Sequence, residues 1–220
     1  MNGLSKIASM AAVLLLSACV ASEPASRSVS ADALTLASRG TGSVPDGVRV
    51  VAPLYTVTDV QVTVPQSLRV SEANVFYPMA DIVWRGDPMG NRHAQVGAIL
   101  RDAAAQATAS MQGPRAAVVR MELVRFHGVT EKTRYTVGGT HNMDFMLTVL
   151  DAATGAPIDG PRLVKAEAKA AGGQAAIAEE QAGRTQKVVV TEKLVQTLRR
   201  ELSGPVADPA MVTRATGAPV

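Results

Sequence analysis

A change in the period of the hydrophobic pattern at Gly113-Pro114 constrains the fold of this chain more than any other feature of its sequence. Before this point, apolar residues recur at the i, i+3, i+4 and i+7 spacing of one helix face: Val96, Ile99, Leu100, Ala103, Ala107 and Met111. From Arg115 onward, apolar and polar residues alternate, as they do in a strand with one buried face. The chain therefore combines amphipathic helices with antiparallel strands.

The alternation predicts three consecutive strands, over residues 115–123, 136–151 and 163–170. In the third strand, alanines alternate strictly with Lys165, Glu167 and Lys169, and Gly172-Gly173 ends the pattern. Upstream, β-branched residues between 48 and 64 predict one or two further strands, and residues 81–84 predict a short one.

Two helices complete the predicted set. The first has two possible starts, since Asp87 stands before Pro88 as an N-cap would and Asn91 could cap a later start. Gly113-Pro114 ends it. The last helix carries an apolar stripe ending at Leu202, and its start lies anywhere from Gln174 to Thr185.

This element order predicts an α+β domain of two layers. One face of the three-strand meander is apolar, and both amphipathic helices need an apolar surface to cover. We therefore expect an antiparallel sheet of about four strands with two amphipathic helices packed on one face. The opposite face should meet water.

The N-terminal segment predicts export and lipid attachment. The apolar run Ile7 to Leu16 leads into Leu16-Ser17-Ala18-Cys19, the pattern of a bacterial lipobox, and Cys19 is the only cysteine of the chain. The run is about half the ~20 residues that a membrane-spanning helix needs. We therefore expect a signal peptide at residues 1–18 and a diacylglyceryl group on Cys19, with several acyl chains giving stable membrane attachment.

The remaining boundaries follow from composition. Residues 19–47 are rich in Ala, Ser, Pro and Gly and predict a flexible tether, residues 48–203 form the single folded domain, and residues 204–220 predict a disordered tail. Val20 stands where an Asp signals inner-membrane retention in many Gram-negative bacteria. By analogy with such proteins, we expect the outer membrane, with the domain facing the periplasm.

Charge and cysteine content exclude several classes of function. A formal charge of +3 is too nearly balanced to indicate nucleic-acid binding. Once Cys19 is acylated, no thiol is left for a disulfide, a metal site or a nucleophile within the chain. Hydrophobic residues make up 47% of the chain but aromatic ones only 3%, so the core consists mainly of Ala, Val, Leu and Met.

One polar and aromatic group is a candidate interaction site: Trp84, Arg85, Asp87, Arg92 and His93. A surface tryptophan flanked by arginines is typical of binding hot spots. The alternative interpretation, which the sequence favours slightly, is that Trp84 anchors the core and Asp87 only caps a helix.

No catalytic or metal-binding pattern accompanies this group. The three histidines, His93, His127 and His141, lack the close spacing of zinc ligands, and no Gly-x-Ser-x-Gly elbow is present. We therefore predict no catalytic residues, no metal and no cofactor.

Several of these segments resemble an uncharacterised family of Gram-negative envelope lipoproteins. The resemblance lies in the lipobox, the segment from Ala80 to Pro88, the Thr140-His141-Asn142-Met143 strand entry and Gly172-Gly173. Beyond the lipobox, it covers roughly Val48 to Leu202. It implies no catalytic or binding residues. More distantly, the element order is similar to that of small periplasmic accessory lipoproteins of transport or cell-wall machines.

We therefore expect a non-enzymatic, lipid-anchored envelope protein that binds another envelope component, most simply a protein. The expected surface is the Trp84–His93 loop together with the exposed sheet face or edge. The alternative is a lipid or small-molecule binder with an apolar pocket between helices and sheet. A hydrolase is a third possibility that the sequence supports least.

Overall fold

The computed structural model describes residues 49–207. The expected signal peptide, Cys19 and the whole tether lie outside these residues, as do tail residues 208–220. None of the described helices is both long and apolar enough to cross a bilayer.

A five-stranded sheet forms one layer of the domain. Its strands are β2 (Tyr55–Thr63), β3 (Ile82–Val83), β4 (Arg115–His127), β5 (Gly139–Asp151) and β6 (Pro157–Ala170). The order is β2-β4-β5-β6, and β3 also pairs with the far end of β4. The expectation of about four strands, all antiparallel, is wrong in two respects: there are five, and β2 and β3 run parallel to β4. A strand's partner depends on distant residues, so alternation along one segment could not reveal this pairing.

A second, two-stranded sheet joins the two ends of the described chain. It pairs β1 (Arg49–Pro53) with β7 (Ser203–Ala207) in antiparallel register. Residues 204–207, which the sequence assigned to a disordered tail, therefore form a strand. Pro205 is accommodated because β7 pairs on one side only.

Two long helices form the other layer, as expected. They are α1 (Arg92–Thr108) and α4 (Gln186–Glu201), which pack on each other and against the same sheet face. Asn91 is the N-cap of α1 and accepts a hydrogen bond from the Ala94 amide at 3.0 Å. The later of the two possible starts is thus correct, and the expected cap at Asp87 is wrong. Helix α1 also ends at Thr108, before Gly113.

Two shorter helices were not expected: α2 (Glu131–Arg134) and α3 (Gly173–Gln181). Gly172-Gly173 does end the alternation of β6, but Gly173 also begins α3, with a φ of 57° that favours glycine. The last helix starts at the late limit of its expected range, since Thr185 is the N-cap of α4, and the earlier residues form the separate helix α3.

The core lies between the two long helices and the sheet. Its largest fully buried side chains include Trp84, Phe126 and Phe145. In β6 the alternation is confirmed, because Val164, Ala166, Ala168 and Ala170 are buried while Lys165, Glu167 and Lys169 are exposed. Alanines on this strand leave room for α4, which packs against it.

Candidate interaction surface

Trp84 belongs to the core and not to the surface. Its side chain is fully buried, and its ring meets Phe126 edge-on, with 5.3 Å between ring centroids. The indole N–H donates to the Asp87 carboxylate at 2.7 Å, which satisfies its one polar atom. The expectation that Trp84 contacts a partner is therefore corrected, because the surrounding core leaves none of the ring accessible.

Asp87 connects Trp84 to the last long helix. Lys187 of α4 donates to the second carboxylate oxygen of Asp87 at 2.9 Å. Burial alone would raise the pKa of Asp87, but the hydrogen bonds from Trp84 and Lys187 outweigh it and hold this pKa below its usual value. Asp87 therefore acts as an ionised link between the 84–91 loop and α4.

Arg92 and Arg85 converge on a second carboxylate, that of Glu72. Arg92 is only 4% exposed and donates to Glu72 from Nε at 2.7 Å and from Nη2 at 3.1 Å. Arg85 donates to the same carboxylate from Nη1 at 2.7 Å. The hydrogen bond from Arg92 is the main reason that the pKa of Glu72 lies below its usual value. This bidentate arrangement fastens the loop before β3 to the start of α1.

His93 completes the predicted group in a structural role. Its Nε2 lies 3.0 Å from the Leu68 carbonyl oxygen, in a half-buried position. The structure thus brings all five predicted residues together, but as a network that holds the long 64–91 connection against the helices. Arg85, Asp87 and Arg92 have their polar atoms engaged within the domain and are poorly placed to bind a partner.

A group of exposed apolar side chains close together in sequence lies in the preceding loop. Four large ones are between 45% and 84% exposed: Val75, Phe76, Tyr77 and Met79. We call these four residues the distal surface. Most proteins leave apolar residues exposed singly, whereas a contiguous group marks an interaction site.

Sequence reasoning missed the distal surface because these residues follow neither a helical nor a strand period. A usable signal was nevertheless present. Phe76 and Tyr77 are adjacent aromatic residues in a chain with only three Phe, three Tyr and one Trp, and they stand before Pro78 outside any periodic segment. Two aromatics in a loop, with no helix or strand to bury them, indicate exposure.

Hydrogen bonds hold the backbone of this loop in place. Side-chain hydroxyls of Thr130 and Thr133 donate to the carbonyls of Val75 and Phe76 at 2.8 and 3.0 Å. Next to these contacts, the Lys132 amide donates to the Asn74 side chain at 2.8 Å. On the other flank, His127 Nε2 lies 3.0 Å from the Pro78 carbonyl oxygen. The distal surface is therefore presented on an ordered backbone, which lowers the entropic cost of binding.

Two cations border the distal surface. The Lys132 ammonium lies 4.6 Å from the centroid of the Phe76 ring, and Arg125 donates to the Tyr77 hydroxyl at 3.0 Å. Within the described residues neither cation forms an ion pair. The nearby Glu72 and Asp81, in contrast, are paired with arginines. An apolar centre with a basic rim is the result.

The distal surface lies far from the point where the chain enters the main sheet. Tyr55, the first residue of β2, pairs with Arg115 at the start of β4. The loop is bonded to Arg125 and His127 at the other end of this strand. At ~3.3 Å per residue, a strand of this length separates the two points by roughly 40 Å.

Each of the three histidines has a hydrogen-bond partner in the backbone. His141 is fully buried, and its Nδ1 accepts from the Val129 amide at 3.3 Å. Burial, followed by the charge of Arg134, lowers the pKa of His141 to about 4. His127 is also buried, and burial is the main cause of its lowered pKa. Within residues 49–207 no group of three potential metal ligands occurs.

A lipid binder would need an apolar pocket between the helices and the sheet. Side chains on both sides of the helix–sheet boundary, such as Leu100, Met121, Met143 and Leu194, are 0% exposed and belong to one continuous cluster. The region where such a pocket was expected is thus filled by the core.

Comparison with known families identifies the chain. The profile of a family of unknown function, DUF6778, matches residues 55–218, and the chain belongs to this family. This confirms the expected membership of an uncharacterised family. Comparison with curated proteins finds no match.

Three solved structures match parts of the chain at low sequence identity and with TM-scores below 0.5. A protein assigned as a lipoprotein from Caulobacter crescentus CB15 is 22% identical, covers 56% of this chain and 84% of its own, and has a TM-score of 0.26. A Xanthomonas campestris protein of family DUF330 is 8% identical, with coverages of 76% and 91% and a TM-score of 0.40. A minor lipoprotein from Acinetobacter baumannii is 12% identical, with coverages of 67% and 97% and a TM-score of 0.28.

Proposed function

We propose that this chain is a lipid-anchored, non-enzymatic protein of the cell envelope that docks another envelope protein through the distal surface. The observation that carries the proposal is the exposure of Val75, Phe76, Tyr77 and Met79 on a loop whose backbone is fixed by hydrogen bonds. Aromatic residues and Met are enriched in protein interfaces, and an ordered loop presents them at little entropic cost.

The basic rim specifies the partner further. Lys132 and Arg125 border the apolar centre and have no acidic partner among the described residues. A complementary surface therefore has an apolar patch flanked by carboxylates, which would steer association and fix its orientation.

Anchoring is the second part of the proposal. The lipobox and its lone Cys19 support lipidation, and Val20 supports sorting to the outer membrane.

The anchor is tested by replacing Cys19 with serine. We expect Cys19→Ser to move the protein from the membrane fraction to the soluble fraction, because acylation at this position is the proposed source of membrane affinity. Fractionation followed by immunoblotting measures the distribution. A Cys19→Ser protein that stays with the membrane contradicts the lipid anchor.

The docking surface is tested with the double variant Phe76→Ser/Met79→Ser in the full-length, lipidated protein. Affinity purification from gently cross-linked envelopes should recover a stoichiometric protein partner with the natural chain and lose it with the variant. Met89→Ser is the matched control, since Met89 is 81% exposed and lies outside the distal surface. Because these side chains are exposed, both variants should keep their stability within about 0.5 kcal/mol.

Two results would overturn the proposal. The first is a partner that binds the double variant as well as the natural chain. The second is recovery of phospholipid or a small molecule alone, which would instead support the lipid-binding alternative.

A further inference from the structure

A groove of about 1070 Å³ opens at the same end of the sheet as the distal surface. It lies between the end of β6, the start of β5 and the exposed side of α3. Half of its twelve lining residues have no side chain beyond Cβ: Gly138, Gly139, Ala170, Ala171, Gly172 and Ala175. Along this half of the lining, a ligand would therefore meet main-chain atoms and methyl groups.

The glycines at the base of the groove are required by close packing. A Cβ on Gly172 would collide with the backbone of Gly138, and Gly138 itself has a φ of 71°. The two segments that form the base are thus in direct contact. Their backbone groups are held in fixed positions, as recognition of another main chain requires.

The neighbouring strand has a free side. Strand β6 is the outer strand of the main sheet, so within residues 49–207 no further strand pairs with it. Its first part contains Pro157 and Pro161, which hinder pairing, but the part beside the groove, from Glu167 to Ala170, has no proline. An added strand is therefore disfavoured along the first part of β6 and permitted beside the groove.

The charges of the groove balance. Arg184 is already engaged by Glu192 at 2.6 Å and by Glu179 at 4.0 Å. This leaves Glu167 and Lys169, one of each sign, which form no ion pair among the described residues. Such a site suits a neutral or zwitterionic ligand better than a polyanion such as a phosphorylated headgroup.

We propose that this groove binds an extended segment of the partner protein, recognised mainly through its main chain. The inference rests on the proposed function and adds the form in which part of the partner is bound. Val137, 75% exposed at the edge of the groove, gives this segment an apolar contact at the distal end. The bound segment would thus approach the domain from the same end as the distal surface.

The test uses the full-length, lipidated protein in detergent and a fluorescently labelled, capped peptide of eight alternating valine and threonine residues. We expect saturable binding by fluorescence anisotropy. Methylating every second amide nitrogen of the peptide should weaken binding at least about tenfold, because it removes main-chain donors while keeping the side chains.

Two variants of α3 locate the binding site. Ala175 is exposed and lines the groove, whereas Ala178 is exposed on the same helix but does not line it. Ala175→Trp should fill the groove and weaken peptide binding at least about tenfold. Ala178→Trp should leave binding unchanged, and circular dichroism confirms that both variants fold.

The inference is overturned if the peptide does not bind, if the methylated peptide binds equally well, or if Ala178→Trp weakens binding as much as Ala175→Trp. Comparing Ala175→Trp with the distal-surface variant Phe76→Ser/Met79→Ser also separates this inference from the proposed function. A partner lost by the distal-surface variant but kept by Ala175→Trp would leave the proposed function standing without the groove. A partner that binds both variants as well as the natural chain would overturn the proposed function and the groove inference together.

Discussion

Burial decides what the ionisable residues of this domain can do. His141 has no exposed atoms and contacts the Val129 amide through Nδ1, while its Nε2 has no hydrogen-bond partner in the described structure. Burial, followed by the nearby charge of Arg134, lowers its pKa from 6.5 to about 4. In the folded domain, His141 is therefore mainly neutral above about pH 4.

This shift predicts a dependence of stability on pH. In the unfolded chain His141 takes up a proton near pH 6.5, whereas in the folded domain it does so only near pH 4. Above pH 6.5, where His141 is neutral in both states, its titration costs the folded domain nothing. As the pH falls from 6.5 to about 4, the unfolded chain takes up the proton first, and the free energy of unfolding decreases by on the order of 3 kcal/mol.

The measurement is the free energy of unfolding in urea at pH 7 and pH 4.5, for the natural chain and for His141→Gln. We expect the natural chain to lose about 2–3 kcal/mol more than the variant between these pH values. Glu72 and Asp87 also lose stabilising charge in acid, but they contribute equally to both proteins. Equal losses in the two proteins would contradict the assigned environment of His141.

The candidate site shows what single residues reveal from sequence. Trp84, Asp87 and Arg92 were correctly grouped, because they are close along the chain. Whether Asp87 and Arg92 are free to bind a partner could not be predicted from these residues alone. Their charges are paired with Lys187 and Glu72, which are distant in sequence. The sequence therefore predicted that these side chains lie together, but not that they are buried or paired within the domain.

Helices and strands were predicted where their pattern is local. The alternation of β4, β5 and β6 and the stripes of α1 and α4 depend on residues within one element, and the structure contains all five. The parallel pairing of β2 with β4 and the pairing of β1 with β7 depend on residues far apart in the chain. Neither pairing leaves a signal in a single segment.

The start of α1 carries a prediction at this scale. Asn91 accepts a hydrogen bond from the Ala94 amide, one of the first-turn donors that have no partner within the helix. Asn91→Ala should therefore lower the free energy of unfolding by about 1 kcal/mol, while Asn91→Ser should preserve most of it.

Urea unfolding of the natural chain and both variants measures the cap. Equal stability of the alanine variant and the natural chain would show that the cap contributes nothing. A serine variant as unstable as the alanine variant would show that Asn91 acts through some other contact.

At the scale of the whole molecule, the domain separates its two ends. The chain enters the main sheet beside Arg115, and the distal surface and the groove lie at the other end of the strands. The 64–91 connection carries the distal surface and is held to the helices by the network of Glu72, Arg85 and Arg92. The network of Glu72, Arg85 and Arg92 therefore positions the loop that carries the distal surface.

The most direct test of docking through the distal surface is photo-cross-linking in native envelopes. A benzophenone amino acid replaces Phe76 in the full-length chain, and a control chain carries it at Val188, which is 38% exposed on α4. We predict one discrete protein adduct from position 76 and none of the same mass from position 188. Lipid adducts alone at position 76, or the same adducts from both positions, would contradict the account.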